Sequence, residues 1–131
     1  MALAGRRLFV PWLDLATRAS ATSSDGIAPI KEGRGGFTAL DVTSGRVLWQ
    51  HELPSPDFGA ATVANDVVFT SDYSGTTYGF DTATGKTLWT AKAPAGINAF
   101  PAVDGDTLLV GAATVGFDKK PKFELIAYSL S

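Results

Sequence analysis

Hydrophobic and polar positions in this chain fall into short β-prone runs punctuated by turn residues. Phe37-Thr38-Ala39-Leu40 and Thr77-Tyr78-Gly79-Phe80 are two such runs, each followed by an aspartate, Asp41 and Asp81. An aspartate carboxylate accepts hydrogen bonds from backbone N–H groups a few residues on, which starts a turn. Four residues later, Gly45 and Gly85 supply the positive φ that a tight hairpin needs. The chain then returns as Arg46-Val47-Leu48-Trp49 and Lys86-Thr87-Leu88-Trp89. The motif is strand, turn, strand, with an indole on the second strand. A buried Trp covers much apolar area and wants an acceptor for its N–H. One indole per unit is suited to cementing a unit to the next.

The two copies, ALDVTSGRVLW and GFDTATGKTLW, stand 40 residues apart. Self-similarity at a fixed period decides architecture before any other signal. The same step of 40 relates residues 62–69 to residues 102–109, and each reads as a strand, a tight turn and a second strand. Residues 2–9 fit that template 60 positions before the copy at Thr62, with Gly5-Arg6 in the turn. Three units of strands A to D follow. Leu125-Ile126-Ala127-Tyr128 is the C strand of the third, which lacks a D strand.

The period breaks twice, by 20 residues in unit one and by 8 in unit three. Both insertions fall between B and C. The first, Pro11 to Gly35, reads as a long loop, with one helical turn expected at Asp14 to Arg18. The second, Ala113 to Lys122, reads as an exposed loop. In an up-and-down four-stranded unit, A–B and C–D turns share one end, and B–C and D–A connections share the other. Every long loop is therefore expected on one face, where binding on a rigid scaffold usually lives.

Composition agrees: 14 Gly and 7 Pro among 131 residues suit many short strands and tight turns. A formal net charge of −2 offers no basic field for nucleic acid. Cysteine is absent, which excludes disulfides and thiolate metal sites. No run approaches the roughly 20 apolar residues of a membrane helix. The first 14 residues do not make a signal peptide.

The pattern Ala-x-Asp-x-x-x-Gly-x-x-x-Trp resembles the repeat of pyrroloquinoline-quinone-type β-propellers. The first copy fits throughout, and the second departs only at Gly79, where the pattern has Ala. The resemblance implies an all-β partial propeller of three blades, spanning 1–53, 54–93 and 94–131. It makes Asp41, Gly45, Trp49, Asp81, Gly85 and Trp89 the blade-docking set. The family includes quinoprotein dehydrogenases, which use the quinone and calcium. It also includes cofactor-free scaffolds, among them an outer-membrane assembly lipoprotein. The resemblance further implies a periplasmic or extracellular setting, with any signal upstream.

No catalytic, cofactor or metal residue can be assigned from the sequence. His51, the only histidine, is expected at a strand end on the surface. Asp104-Gly105-Asp106 aligns with Ala64-Asn65-Asp66 and is expected to be a hairpin turn. Gly33-Arg34-Gly35-Gly36 leads into a strand, which excludes a phosphate loop. Trp12 is expected to pack the long loop. Asp57, Phe58, Asn98 and Phe100 are the loop-face candidates, with packing between units the competing role for both Phe residues.

The function expected is a non-catalytic scaffold that binds a protein or small molecule through its loop face. The alternative is a piece of a quinone-dependent alcohol or sugar dehydrogenase. A closed propeller has about four to eight blades, and three cannot close a ring. The expected partners are therefore the remaining blades of a longer propeller or, failing those, other copies of this chain.

Overall fold

The computed structural model describes residues 1–15, 33–58, 61–113 and 122–129. Eleven strands are present among them. They are β1 (Ala2–Ala4), β2 (Arg7–Asp14), β3 (Arg34–Asp41), β4 (Val47–Leu53), β5 (Thr62–Ala64) and β6 (Val67–Ser71), followed by β7 (Thr76–Asp81), β8 (Thr87–Lys92), β9 (Ala102–Asp104), β10 (Thr107–Ala113) and β11 (Phe123–Ser129). They form three antiparallel sheets in sequence order: β1-β2-β3-β4, β5-β6-β7-β8 and β9-β10-β11. This is a partial propeller, and of its short strands β5 touches β1 on one side and β9 on the other.

The repeat is visible in backbone detail. The β1–β2, β5–β6 and β9–β10 turns carry Gly5, Asn65 and Gly105 at φ of 57°, 52° and 53°. Asparagine tolerates this left-handed conformation better than most residues. A register shift interrupts β3–β4 between Ala39 and Leu40, and β7–β8 between Gly79 and Phe80. The bulge leaves Leu48 and Leu88 unpaired in the ladder, and both are exposed. Their recurrence thus tracks the bulge and not the core.

Two apolar seams join the sheets. Phe9, Phe37, Ala39 and Leu53 of the first sheet meet Val68 and Phe80 of the second. Phe69 and Ala93 of the second meet Leu108, Val110 and Ala112 of the third. The middle sheet uses alternate residues for its two neighbours, Val68 for the first seam and Phe69 for the second, as the two-residue period of a strand requires.

The insertion boundaries differ from expectation. Strand β2 runs on through Pro11, Trp12 and Leu13 to Asp14, and β3 already begins at Arg34. Proline is tolerated because β1 pairs only as far as Phe9, so the far edge of β2 is free of a ladder at Pro11. Likewise Ala113 closes β10, opposite Phe123. Asp14 is the end of a strand and Leu15 follows it without helical structure, while Ala16 to Arg18 of the expected helical turn lie outside the described residues.

Candidate functional site

At one end of the sheets the turns after β3 and β7 are built alike. The Asp41 carboxylate accepts from the Thr43 N–H at 3.0 Å, the Ser44 N–H at 2.8 Å and the Ser44 hydroxyl at 3.0 Å. The Asp81 carboxylate accepts from the Ala83 N–H at 3.1 Å and from the Thr84 N–H and hydroxyl, both at 2.7 Å. The Gly45 and Gly85 N–H groups then donate to the Asp41 and Asp81 carbonyls. Bonds to the ionised form hold both carboxyls below the ordinary carboxylate range. For Asp41 the largest cause is the Ser44 N–H; for Asp81 it is the Thr84 hydroxyl.

Trp49 reaches from the first sheet onto the second turn. Its indole N–H donates to the Thr82 carbonyl at 3.2 Å. Its ring lies where a side chain on Gly85 would begin, 2.7 Å from an ideal Cβ position. His51, two residues on, stacks on Phe80 at 4.5 Å, and its Nε2 sits 2.6 Å from the Gly85 carbonyl. The expectation of a surface histidine is therefore corrected: His51 is half-buried and belongs to the same seam as Trp49. The two-residue spacing on one strand was the signal that placed them on one face. Trp89 instead meets Tyr128 edge-on at 5.0 Å.

A groove of about 410 Å³ lies at this turn end, lined by Arg6, Arg7, Asp41, Leu48 and Ala83. Arg6 is tied to Asp41 at 3.1 Å. Sequence reasoning gave this end only tight turns and missed the groove.

At the opposite end the β4–β5 and β8–β9 linkers meet the B–C connections. The Tyr73 N–H donates to the Pro56 carbonyl, the Ala93 N–H to Gly75, and the Ala113 N–H to Gly96. Asp57 is 1% exposed and accepts from the Thr70 hydroxyl at 2.5 Å. Asp72, absent from the sequence candidates, is fully buried. It accepts from the Ser74 N–H and hydroxyl, the Thr76 N–H and the Tyr78 hydroxyl. Burial first, and then the bond to Asp72, push the Tyr78 phenol far above its ordinary value. The clue to Asp72 was its turn sequence, Asp-Tyr-Ser-Gly-Thr.

Of the four loop-face candidates, Asp57 is closed off and Phe58 packs edge-on against Tyr73 at 5.3 Å. Asn98 and Phe100 are exposed. Trp12 lies on Gly36, and its N–H donates to the Thr38 hydroxyl at 3.1 Å. It packs its own sheet.

These residues do not fit a quinone and calcium site. Among the described residues no three His, Cys, Asp or Glu side chains converge on a point that could hold a metal ion. Of the buried carboxylates, Asp57 accepts from the Thr70 hydroxyl, and Asp72 accepts from hydroxyls and N–H groups of Ser74, Thr76 and Tyr78.

The fold and the Trp-turn seam define a β-propeller of the pyrroloquinoline-quinone-like repeat class. Residues 7–131 match the family described as outer membrane protein assembly factor BamB, and the chain belongs to that family. It is similar to a quinoprotein ethanol dehydrogenase of Pseudomonas aeruginosa, at 34% identity over 87 residues. That match covers 63% of this chain and 14% of the dehydrogenase. Among solved structures, BamB from Moraxella catarrhalis aligns at 31% identity with a TM-score of 0.51, covering 61% of this chain and 26% of that one. A europium-containing methanol dehydrogenase aligns with a TM-score of 0.59 at 21% identity, covering 90% of this chain and 25% of that one, a likeness of fold alone. The chain thus spans a quarter or less of the relatives' length in two of these matches. Among the described residues no helix is long and apolar enough to cross a membrane.

Proposed function

We propose that this chain is a non-catalytic propeller segment, with blades at 1–53, 54–93 and 94–131, that binds a protein through its loop face. One observation carries the reading. At that face the buried acids are satisfied internally, while Phe100 stands 70% exposed beside the exposed Asn98. An exposed aromatic side chain on a loop held by a rigid scaffold suits contact with a partner. Asp41, Gly45, Trp49, Asp81, Gly85 and Trp89 serve docking between blades. The membership in an assembly-factor family supports a protein partner and a site outside the cytoplasm.

Photo-crosslinking in the source cells tests this. A photoreactive side chain at Phe100 or Asn98 is expected to give a discrete protein adduct, and one at Ser44 or Thr84, on the turn end, none. Equal labelling from both ends would defeat the assignment.

The second reading, a dehydrogenase segment, is favoured by the 34% identity to the quinoprotein ethanol dehydrogenase. Titrating pyrroloquinoline quinone with calcium, followed by absorbance, separates the two. The scaffold reading expects no saturable spectral shift.

A further inference from the structure

The groove at the turn end crosses the first seam. Arg6, Arg7, Asp41 and Leu48 of the first unit line one side, and Ala83 of the second lines the other. Both walls belong to neighbouring units of this chain. The volume of about 410 Å³ lies within the roughly 300–1,000 Å³ of small-molecule sites.

The repeat separates what the fold needs here from what it does not. Arg6 and Arg7 stand where the second unit has Asp66 and Val67, and the third Asp106 and Thr107. The backbone bond from this turn is the same with either side chain. The Val42 N–H donates to the Arg6 carbonyl at 3.0 Å, and the Thr82 N–H to the Asp66 carbonyl at 2.8 Å. The Asp81 turn closes on the Thr84 N–H as the Asp41 turn closes on the Ser44 N–H, with Asp66 in the place of Arg6. The Arg6 side chain is 71% exposed, and an exposed ion pair adds little to stability. Folding therefore does not account for the arginine pair.

The charges define the kind of ligand. Thr43 and Ser44 occupy Asp41 Oδ1, and Arg6 binds Oδ2, which holds the guanidinium at the rim. Arg7 is half-buried and makes neither hydrogen bond nor ion pair among the described residues. Two arginines against one aspartate leave the lining one positive charge, the complement of a single carboxylate. A guanidinium fork binds a carboxylate through two parallel N–H···O bonds. Leu48, 46% exposed, and the exposed Ala83 add apolar surface beside that charge.

We propose that this groove binds a small organic monocarboxylate, with its carboxylate on Arg7 beside Arg6 and its apolar body against Leu48 and Ala83. The ligand is a small molecule and not a protein, and the site is independent of the loop face at the opposite end.

The test is a titration of the full, nitrogen-15-labelled chain with hexanoate at constant ionic strength, followed by amide and arginine side-chain shifts. Acetate, inorganic phosphate and hexylammonium are the comparison probes. Hexanoate should give saturable shifts at Arg7 and Ala83, with half-saturation about tenfold below that of acetate, the effect of covering roughly two methylene groups. Hexylammonium should give none. Arg7→Val places the second unit's own residue at this position, and Arg7→Gln is the second variant; amide dispersion confirms that each is folded. Both should abolish the saturable shifts. Leu48→Ser should bring hexanoate to the level of acetate. A wild type that shows no saturation overturns the proposal, and so does a folded Arg7 variant that binds hexanoate like the wild type. Phosphate or hexylammonium binding as tightly as hexanoate overturns it as well, since neither combines a carboxylate with an apolar body.

Discussion

The two internal seams are built on the same repeat and are held differently. Between the first and second sheets, Trp49 donates to the Thr82 carbonyl and fills the space over Gly85, with His51 on the Gly85 carbonyl beside it. Between the second and third, Trp89 makes ring contacts alone among the described residues, with Phe69 at 6.3 Å and Tyr128 at 5.0 Å. Ala91 stands where His51 does. The loop ends differ too: Asp57 bonds Thr70 in the first seam, while the equivalent residues in the second are Ile97 and Val110. The lesson is that the seam tolerates a buried polar pair or an apolar one at a single register. In the first seam the docking indole adds a directional anchor through the Thr82 carbonyl.

Removing the anchors gives the largest effects. Trp49→Ala should cost about 3–5 kcal/mol, in the range for truncating a large aromatic, and it also leaves the Thr82 carbonyl without its donor. Trp89→Ala should cost less, about 2–3 kcal/mol, because among the described residues its contacts are ring packing alone. Urea unfolding followed by circular dichroism checks the order. Equal losses would show that the bond and the Gly85 seat add nothing.

The glycine turns sharpen the same contrast. Gly45 and Gly85 share a φ near +70°, at 70° and 73°. Alanine at either position incurs the left-handed penalty of about 1–2 kcal/mol. Only at Gly85 would the new methyl strike an indole, 2.7 Å away. Gly85→Ala should therefore cost roughly 1–3 kcal/mol more than Gly45→Ala, the usual cost of overpacking. The excess should vanish in a Trp49→Ala background. An excess that persists there would mean that the glycine answers to something other than the indole.

Much of this was legible because the repeat repeats its chemistry. The Asp, the Gly and the Trp each perform a local job, so spacing alone carried the turn and the strand that follows. The three sheets followed from the period of 40. What stayed hidden depends on contacts between units. His51 looked like a surface residue because nothing local says that Phe80 and the Gly85 carbonyl lie above it. Asp57 looked like a loop-face acid because its partner, Thr70, is 13 residues away on another strand. Pro11 looked like the start of a loop because a proline rarely continues a strand, and only the shortness of β1 permits it.

The polar pair can be exchanged for its apolar equivalent. Thr70→Val alone removes a partner from a buried carboxylate and should cost about 1–3 kcal/mol. The double change Asp57→Ile with Thr70→Val copies the second seam into the first. It should recover most of that loss, since replacing both partners by apolar groups of similar shape is nearly neutral. A double-mutant cycle reads the coupling. If the double variant is no better than Thr70→Val, the two seams are not interchangeable at this register.

The smallest effect is the acid dependence of the two turns. Asp41 and Asp81 are held below the ordinary value of 3.8, chiefly by the Ser44 N–H in one and the Thr84 hydroxyl in the other. A carboxyl depressed in the folded state stabilises fully above its unfolded pKa, and that contribution disappears as pH falls through the folded value. Stability should therefore decline below about pH 4, and the double variant Asp41→Asn with Asp81→Asn should decline less steeply there. Both carboxylates lie at the surface, so the difference will be slight and is best read from urea midpoints. The single variants should not be equivalent at neutral pH. The Asp81 turn carries the Thr82 carbonyl that receives Trp49, whereas the seat at Gly45 is open. Loosening the Asp81 turn also loosens a seam, so Asp81→Asn should lower the midpoint more than Asp41→Asn and shift Trp fluorescence with it. Identical midpoints and spectra for the two would mean that the docked indole draws no support from the aspartate beneath it.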